Sequence, residues 1–518
     1  MSSKPAKASK AAVVVREEHA YTREQIEECF QCDGDELKRI LQHLRALKYL
    51  KINKTVDIQN DMTPLADEAV DITESLANVT GFSYTFTFVG VLVVGDLVLQ
   101  SYPKYFKEAG DPAEQQQKFK TVLKVLKKFN KQSKTTRIYT DGKKTANFNF
   151  LELMLYLMED YNENGLYNNS QTVIEQNGEG DILWDMTVNQ TYPIFSNKRP
   201  IYTDLYTTKV EDDLEDFIRR LHSCILTTCT RFFKENRLYD LFEGLPEIDL
   251  TEETIDEFGD EHYLLYRVER EIAQQFNTHK QQLLHALHAF ISHRTDMDRS
   301  DYTMLYGTTT FNLIWEKACA AVFQNRLDDK LGDIAQFIHG GLQGKYQALK
   351  DVTLKELIEK PTWGGYDKDD KCVYEKEALA TLIPDIINIY YYVGETYFSI
   401  LDAKYYVMTF NPLGGQPGIG DITKQYLYNL AYKDFIDTHK ISRVCNCFLM
   451  PEDEVGYAKR GYARLDILNF LHVKNIDVIL LSADSIFEYY LYDKKWGEEF
   501  NKVLNLVHSE HYGSVIAV

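Results

Sequence analysis

The chain of 518 residues is too long for a single core and is expected to divide into several folding units. With 44% hydrophobic and 13% aromatic residues and only 12 prolines it has ample material for packed interiors, which excludes a disordered scaffold. A formal net charge of −20 excludes a simple cationic coat for nucleic acid, so action on DNA needs a local basic surface or a partner that delivers the substrate.

Residues 1–20, opening with MSSKPAKASK, read as a disordered tail. No apolar run of signal-peptide length follows them, and no stretch nears the ~20 apolar residues of a membrane span. A cytoplasmic protein without membrane attachment is expected, its cysteines reduced. Cys29 and Cys32 form a lone C-x-x-C with no second pair, which is weak ground for zinc.

Over residues 21–75, TREQIEECF, the break QCDGD and ELKRILQHLRALKYLKI make a helix-turn-helix pattern. Leu37, Ile40, Leu41, Leu44 and Leu47 share one face, and a strand through Tyr49 and Ile52 completes a winged-helix-like module. A β-hairpin, a basic helix and a central region are expected over 76–250. That stretch opens with GFSYTFTFVGVLVVGDLVLQSYPKY, whose spacing predicts a hairpin turning at Gly95-Asp96. From Lys118 to Lys144 the chain carries ten Lys or Arg against one acid, Asp141. Lys118, Lys120, Lys124, Lys127 and Lys128 alternate there with Phe119, Val122, Leu123, Val125 and Leu126. An amphipathic basic helix that contacts DNA phosphates or an acidic partner is therefore expected. The pattern then turns mostly helical, with one β-rich island at GDILWDMTVNQTYPIFSNKRPIYTDLYT, and a helical region spans 251–370. His279, His285, His288 and His293 in that region read as ordinary helix residues.

The chemistry lies in residues 371–518. DIINIYYY and TYFSILDAKYY are strands separated by the turn VGE. Asp385 opens the first, and Asp402 and Lys404 stand two apart on the second, hence on one face. Two carboxylates converging from neighbouring strands suit a hard divalent cation, Mg²⁺ or Mn²⁺. A lysine beside them can help deprotonate an attacking water or stabilise charge on a scissile phosphate. In the following NPLGGQPGIGDITKQYLYNLAY, Asp421 is expected to cap a helix carrying Lys424 and Gln425 in its first turn. That glycine-rich helix start offers N–H groups to a DNA phosphate, with Lys424 as a further contact. A strand at SRVCNCFLMP, a helix around ARLDILNFL and a strand at IDVILLSAD complete a mixed sheet flanked by helices.

Pro384-Asp385 and Asp402-Ala403-Lys404 resemble the signature of the PD-(D/E)xK nuclease superfamily. Within it the chain is similar to LlaJI-type and McrC-like restriction endonucleases. FVGVLVVGDLVLQSYPKY, GDILWDMTV, PIYTDLYTT and RRLHSCIL carry that likeness outside the nuclease segment. The resemblance implies an α+β multidomain protein with a C-terminal α/β PD-(D/E)xK domain. It implies Asp385 and Asp402 as metal ligands, Lys404 and Gln425 as catalytic partners, and a further upstream acid, for which Glu377 is the candidate. It also implies double-stranded DNA as substrate, a role in bacterial restriction or anti-phage defence, and a McrB-like AAA+ NTPase as partner; a homo-oligomer is compatible with it. The alternatives are a self-sufficient site-specific endonuclease and a non-catalytic winged-helix DNA-binding regulator.

Overall fold

The computed structural model describes residues 12–32, 34–54, 82–95, 97–107, 110–133, 149–297, 302–410, 413–471, 475–494, 508 and 515–516. The chain divides into two compact units. The larger holds residues 13–91, 99–133 and 307–518; the smaller holds the first 12 residues, 92–98 and 134–306.

The expected tail is a strand from Val13 onward, Val13–Arg16 (β1), and only residues 1–11 lie outside the described ones. Arg23–Phe30 (α1) starts where Thr22 Oγ1 accepts a bond from the Gln25 amide while the Gln25 side chain accepts from Thr22 N–H, a reciprocal cap. Gly34–Ala46 (α2) buries Leu37, Leu41 and Leu44, whereas Leu47, past its end, is exposed. Leu50–Lys54 (β2) pairs antiparallel with Phe82–Phe86 (β3), whose other edge takes Ala20–Tyr21. The rest of the 21–75 module, from residue 55, lies outside the described residues. Val89–Val94 (β4) and Leu97–Tyr102 (β5) are neighbours buried on both faces, and β1 runs parallel to β5. Gly95 has φ +55, as the expected turn requires; Asp96 lies outside the described residues. Pro112–Ser133 (α3) buries Phe119, Val122, Leu123, Val125 and Leu126, and the basic stretch 134–144 that follows is not among the described residues.

The smaller unit is helical, with Phe150–Asn164 (α4), Phe217–Glu235 (α5), Glu261–Gln274 (α6) and Thr278–Met297 (α7). Its β-rich island begins earlier than expected, at Ser170, where Ser170–Gln176 pairs with Tyr206–Asp212. Of the helix histidines, His279 meets Asp160 at 2.6 Å and His288 meets Glu269 at 3.2 Å, both ordinary polar contacts.

From Gly307 the chain belongs to the larger unit, so the stretch 251–370 is divided between the two. The reason is a shared core: Leu327, Leu331, Ile334 and Leu354 pack with Ile387, Ile389, Phe398 and Ile400. After Phe311–Val322 (α8) come Ile386–Tyr392 (β6), Glu395–Ala403 (β7), Ile419–Ala431 (α9), Arg443–Glu452 (β8), Tyr457–Ala463 (β9), Ile476–Ser482 (β10), Ala483–Leu491 (α10) and Val515–Ile516 (β11). They form a six-stranded sheet in the order β6-β7-β8-β10-β9-β11. β7, β8 and β10 are parallel, and the remaining pairings are antiparallel. The β6–β7 hairpin turns at Val393-Gly394, both at positive φ (46 and 84), a geometry that matches strand twist.

Alternation sorts the layers. Ile387, Ile389, Phe398 and Ile400 face Tyr428 of α9 and Tyr432 just after it. On the opposite face Trp315 of α8 donates from Nε1 to Leu449 O at 3.1 Å, and Asn388 donates to Phe323 O at 2.9 Å. Two local expectations need correction. The segment around ARLDILNFL ends strand β9 at Ala463 and continues as a short 3-10 turn, Asp466–Leu471. α9 is capped by Gly418, so Asp421 lies in its first turn and Gln425 in its second. Among the described residues no helix is long and apolar enough to cross a membrane.

Candidate active site

Asp385 stands one residue before β6, and the register Ile386↔Leu401 sets it across from Asp402. Its carboxylate accepts the Ala403 amide at 2.9 Å, and its carbonyl accepts Asn325 Nδ2 at 2.9 Å. Asn325 Oδ1 also takes the Ile387 amide at 3.0 Å, so one side chain pins the start of the strand. Lys404 follows β7, and its amide donates to Leu449 O at 2.9 Å, extending the ladder by one bond. Its Nζ lies 2.9 Å from Asp402 Oδ2 and 3.0 Å from Asp421 Oδ1.

Burial first, then the neighbouring Asp402 and Glu316 of α8, push the Asp385 carboxyl up to about 8, against the Ala403 amide that favours the anion. Glu316 is likewise raised, by burial and by Asp402, with Lys404 and Lys317 opposing. Burial works to discharge Lys404, but Asp402 and Asp421 outweigh it and raise its pKa. Tyr428, on the same face, is pushed up to about 12, first by burial and then by Asp402 and Asp385. Asp402 and Asp421 thus pair with the Lys404 ammonium, while Asp385 and Glu316 share the field of Asp402, an acidic neighbourhood that favours a cation. Among the described residues no three carboxylate, imidazole or thiolate groups form a complete cage. Asp385 and Asp402 fit the kind of site in which Mg²⁺ takes one or two carboxylates and keeps water and phosphate oxygens for the rest.

Asp385, Asp402 and Lys404 are therefore together. Gln425 is close but inward: fully buried, its Nε2 donates to Ile400 O at 3.2 Å and Cys447 O at 3.4 Å, tying α9 to β7 and β8. Glu377 ends the separate hairpin Thr362–Tyr366/Cys372–Glu377 and is exposed there; the further acid that interacts electrostatically with the pair is Glu316. Lys424 is exposed on α9. Lys118 and Lys128 are not surface contacts. Lys118 pairs with Asp453 at 2.7 Å and Glu114 at 2.8 Å, while Lys128 donates to Tyr490 O at 2.6 Å and meets Asp493 at 2.6 Å. The acidic partner of these two lysines is the chain itself. Lys124 and Lys127 are exposed, and Lys120 is half-buried. Glu316, Asp421 and Tyr428 escaped the sequence reading. Asp421 was visible only as a cap, and Glu316 has no local signal tying it to a strand that begins at Ile386.

The sequence profile of the LlaJI restriction endonuclease matches residues 88–336 and 349–484, well over half of the chain. The chain belongs to the LlaJI restriction endonuclease family. The first block of the LlaJI match contains Glu316 and the second contains Asp385, Asp402, Lys404 and Asp421. As a member of a restriction endonuclease family, the chain is a DNA endonuclease. A curated relative, the type II restriction enzyme BsuMI component YdjA of Bacillus subtilis (strain 168), is 28% identical over 441 residues, which are 83% of this chain and 86% of the relative. Among solved structures, a chain of the Thermococcus gammatolerans half-complex of McrB AAA+ hexamers with bound McrC aligns with a TM-score of 0.35 and 12% identity over 93% of this chain and 100% of its own. A chain of the McrBC complex of the same organism aligns with a TM-score of 0.24 and 14% identity over 54% of this chain and 80% of its own.

Proposed function

We propose that this LlaJI-family chain is a divalent-metal-dependent endonuclease of PD-(D/E)xK type, the nuclease subunit of a bacterial restriction system that works with a McrB-like AAA+ NTPase. The observation that carries the reading is the apposition of Asp385 and Asp402 with Lys404 Nζ 2.9 Å from Asp402. Asp385 and Asp402 would hold Mg²⁺ or Mn²⁺, which when bound supplies Lewis acidity and brings water and phosphate together. Lys404, kept protonated by two carboxylates, serves as the cation that orients the water and balances charge growing on the scissile phosphate. Glu316 takes the place of the additional acid. Gln425 acts through the position of α9.

The partner rests on the sequence resemblance. A multisubunit arrangement is supported by the relative, which is described as a component of a restriction enzyme. The test is cleavage of unmodified and methylated plasmid with Mg²⁺, by the chain alone and with the product of the neighbouring gene plus GTP or ATP, beside Lys404→Ala. Cleavage only with partner and nucleotide, lost in the variant, is the expected result. Cleavage by the chain alone would favour a self-sufficient enzyme. DNA binding without cleavage under any condition would favour the non-catalytic regulator.

A further inference from the structure

Lys404 is held to the sheet by a single backbone bond, and what fixes the chain beyond it is Tyr405. The Tyr405 ring is buried, 5.1 Å from Phe311 at the start of α8 and 6.3 Å, edge-on, from Tyr105. Its hydroxyl donates to Glu17 Oε2 at 2.7 Å and accepts the Lys104 amide at 3.2 Å. The Lys104 ammonium sits 4.6 Å from the Tyr405 ring centre and 5.7 Å from that of Tyr406, and it pairs with Glu18 at 2.5 Å. Burial first and then the neighbouring Asp421, the second partner of Lys404, raise the pKa of Tyr406. Groups hundreds of residues away in sequence thus hold the chain just after Lys404.

Packing alone does not require this. A phenylalanine would fill the ring's place, and an apolar residue at Glu17 would avoid burying an acid that is only 6% exposed. What the polar groups add is direction, because a hydrogen bond fixes the orientation of the backbone that carries it.

We propose that Tyr405, gripped by Glu17 and Lys104, is a positioning residue that holds Lys404 at the carboxylate pair, so that the N-terminal segment sets the geometry of the nuclease centre. This rests on the reading of Asp385, Asp402 and Lys404 as that centre. The ionisable groups facing Glu17 are Tyr405, Lys104, Glu18 and Tyr105. Burial raises Glu17 to about 7, so its carboxylate becomes the stronger, charge-assisted acceptor only as pH rises past neutrality.

The experiment uses the full chain, with partner and nucleotide if cleavage needs them, and compares Tyr405→Phe, Glu17→Gln and Asp402→Ala. Tyr405→Phe should cut about tenfold or more slowly in single turnover, the scale of losing an outer-shell bond, with DNA affinity unchanged. The ratio of wild-type to Glu17→Gln rates should grow between about pH 6 and 8, because glutamine offers a neutral acceptor at every pH. Without metal or DNA, acylation of Lys404 read by mass spectrometry should be several-fold faster in Tyr405→Phe, since a loosened amine is more accessible. If Tyr405→Phe fails to fold, Glu17→Gln carries both readouts. Wild-type cleavage by Tyr405→Phe, with Asp402→Ala dead, overturns the positioning role alone. Normal cleavage by Asp402→Ala overturns the nuclease centre and this role with it. A pH-independent ratio together with unchanged acylation also overturns the proposal.

Discussion

Lys404 keeps its proton because two carboxylates, at 2.9 and 3.0 Å, outweigh a burial that would strip it. Removing them one at a time should separate their roles. Asp402→Ala is expected to abolish cleavage while the fold persists, because it removes a proposed metal ligand as well as the ion pair. Asp421→Asn leaves the proposed metal ligands intact and should slow single-turnover cleavage about tenfold, the scale of an outer-shell loss. Cleavage by Asp421→Asn at the wild-type rate would remove Asp421 from the site. Glu17 gives a second test at this scale. Its folded value, about 7, lies above the ordinary 4.5, so the stability it contributes is present below 4.5 and lost as pH rises through 7. The loss is on the order of 3 kcal/mol for a shift of that size. Denaturant unfolding at pH 4.5 and 8 should therefore show a smaller loss for Glu17→Gln than for wild type; identical losses would rule out this origin.

At the scale of elements, α3 and α9 show how one sequence pattern serves two purposes. The apolar face of α3 reads directly from its spacing, but the lysines between divide by what lies opposite. Lys118 is only 15% exposed and sits between Asp453 and Glu114, so Lys118→Ala leaves the buried Asp453 with the Lys107 amide but without its ammonium partner. It should cost about 1–3 kcal/mol in denaturant unfolding, with DNA affinity unaffected. Lys124 and Lys127, both exposed, are the residues whose reversal to glutamate should weaken DNA or partner binding at low salt. Equal binding by that double variant would leave α3 a purely structural helix. Gln425 follows the same logic on α9. It lies in the second turn, where its amide meets two strand carbonyls, so its place in the helix decided its role.

At the scale of the whole molecule, the proposed metal at an acidic centre inside an acidic chain should stabilise the protein. Asp385, raised to about 8, must give up a proton before both carboxylates can bind a cation. Mg²⁺ should therefore bind more tightly at pH 8 than at pH 6, with proton release seen by calorimetry in buffers of different ionisation heat. It should also raise the melting temperature, an effect reversed by chelation. Binding that is independent of pH would mean that the pair is already ionised.

The apposition of Asp385 with Asp402 and Lys404 was legible from residues alone, because a tight hairpin and strand alternation are local rules that one short segment satisfies by itself. The apolar faces of α2 and α3 were legible for the same reason. Only the tertiary structure decided that Glu316 interacts electrostatically with the carboxylates while Glu377 is exposed on a separate hairpin, and that Asp421 is a partner of Lys404 and not a cap. The same holds for Lys118 and Lys128, which answer the chain's own acids, and for Tyr405, which Glu17 holds from 388 residues away. Each of these is a polar contact between elements distant in sequence. Its partner is set by how helices and sheet pack, which no periodicity within one segment encodes.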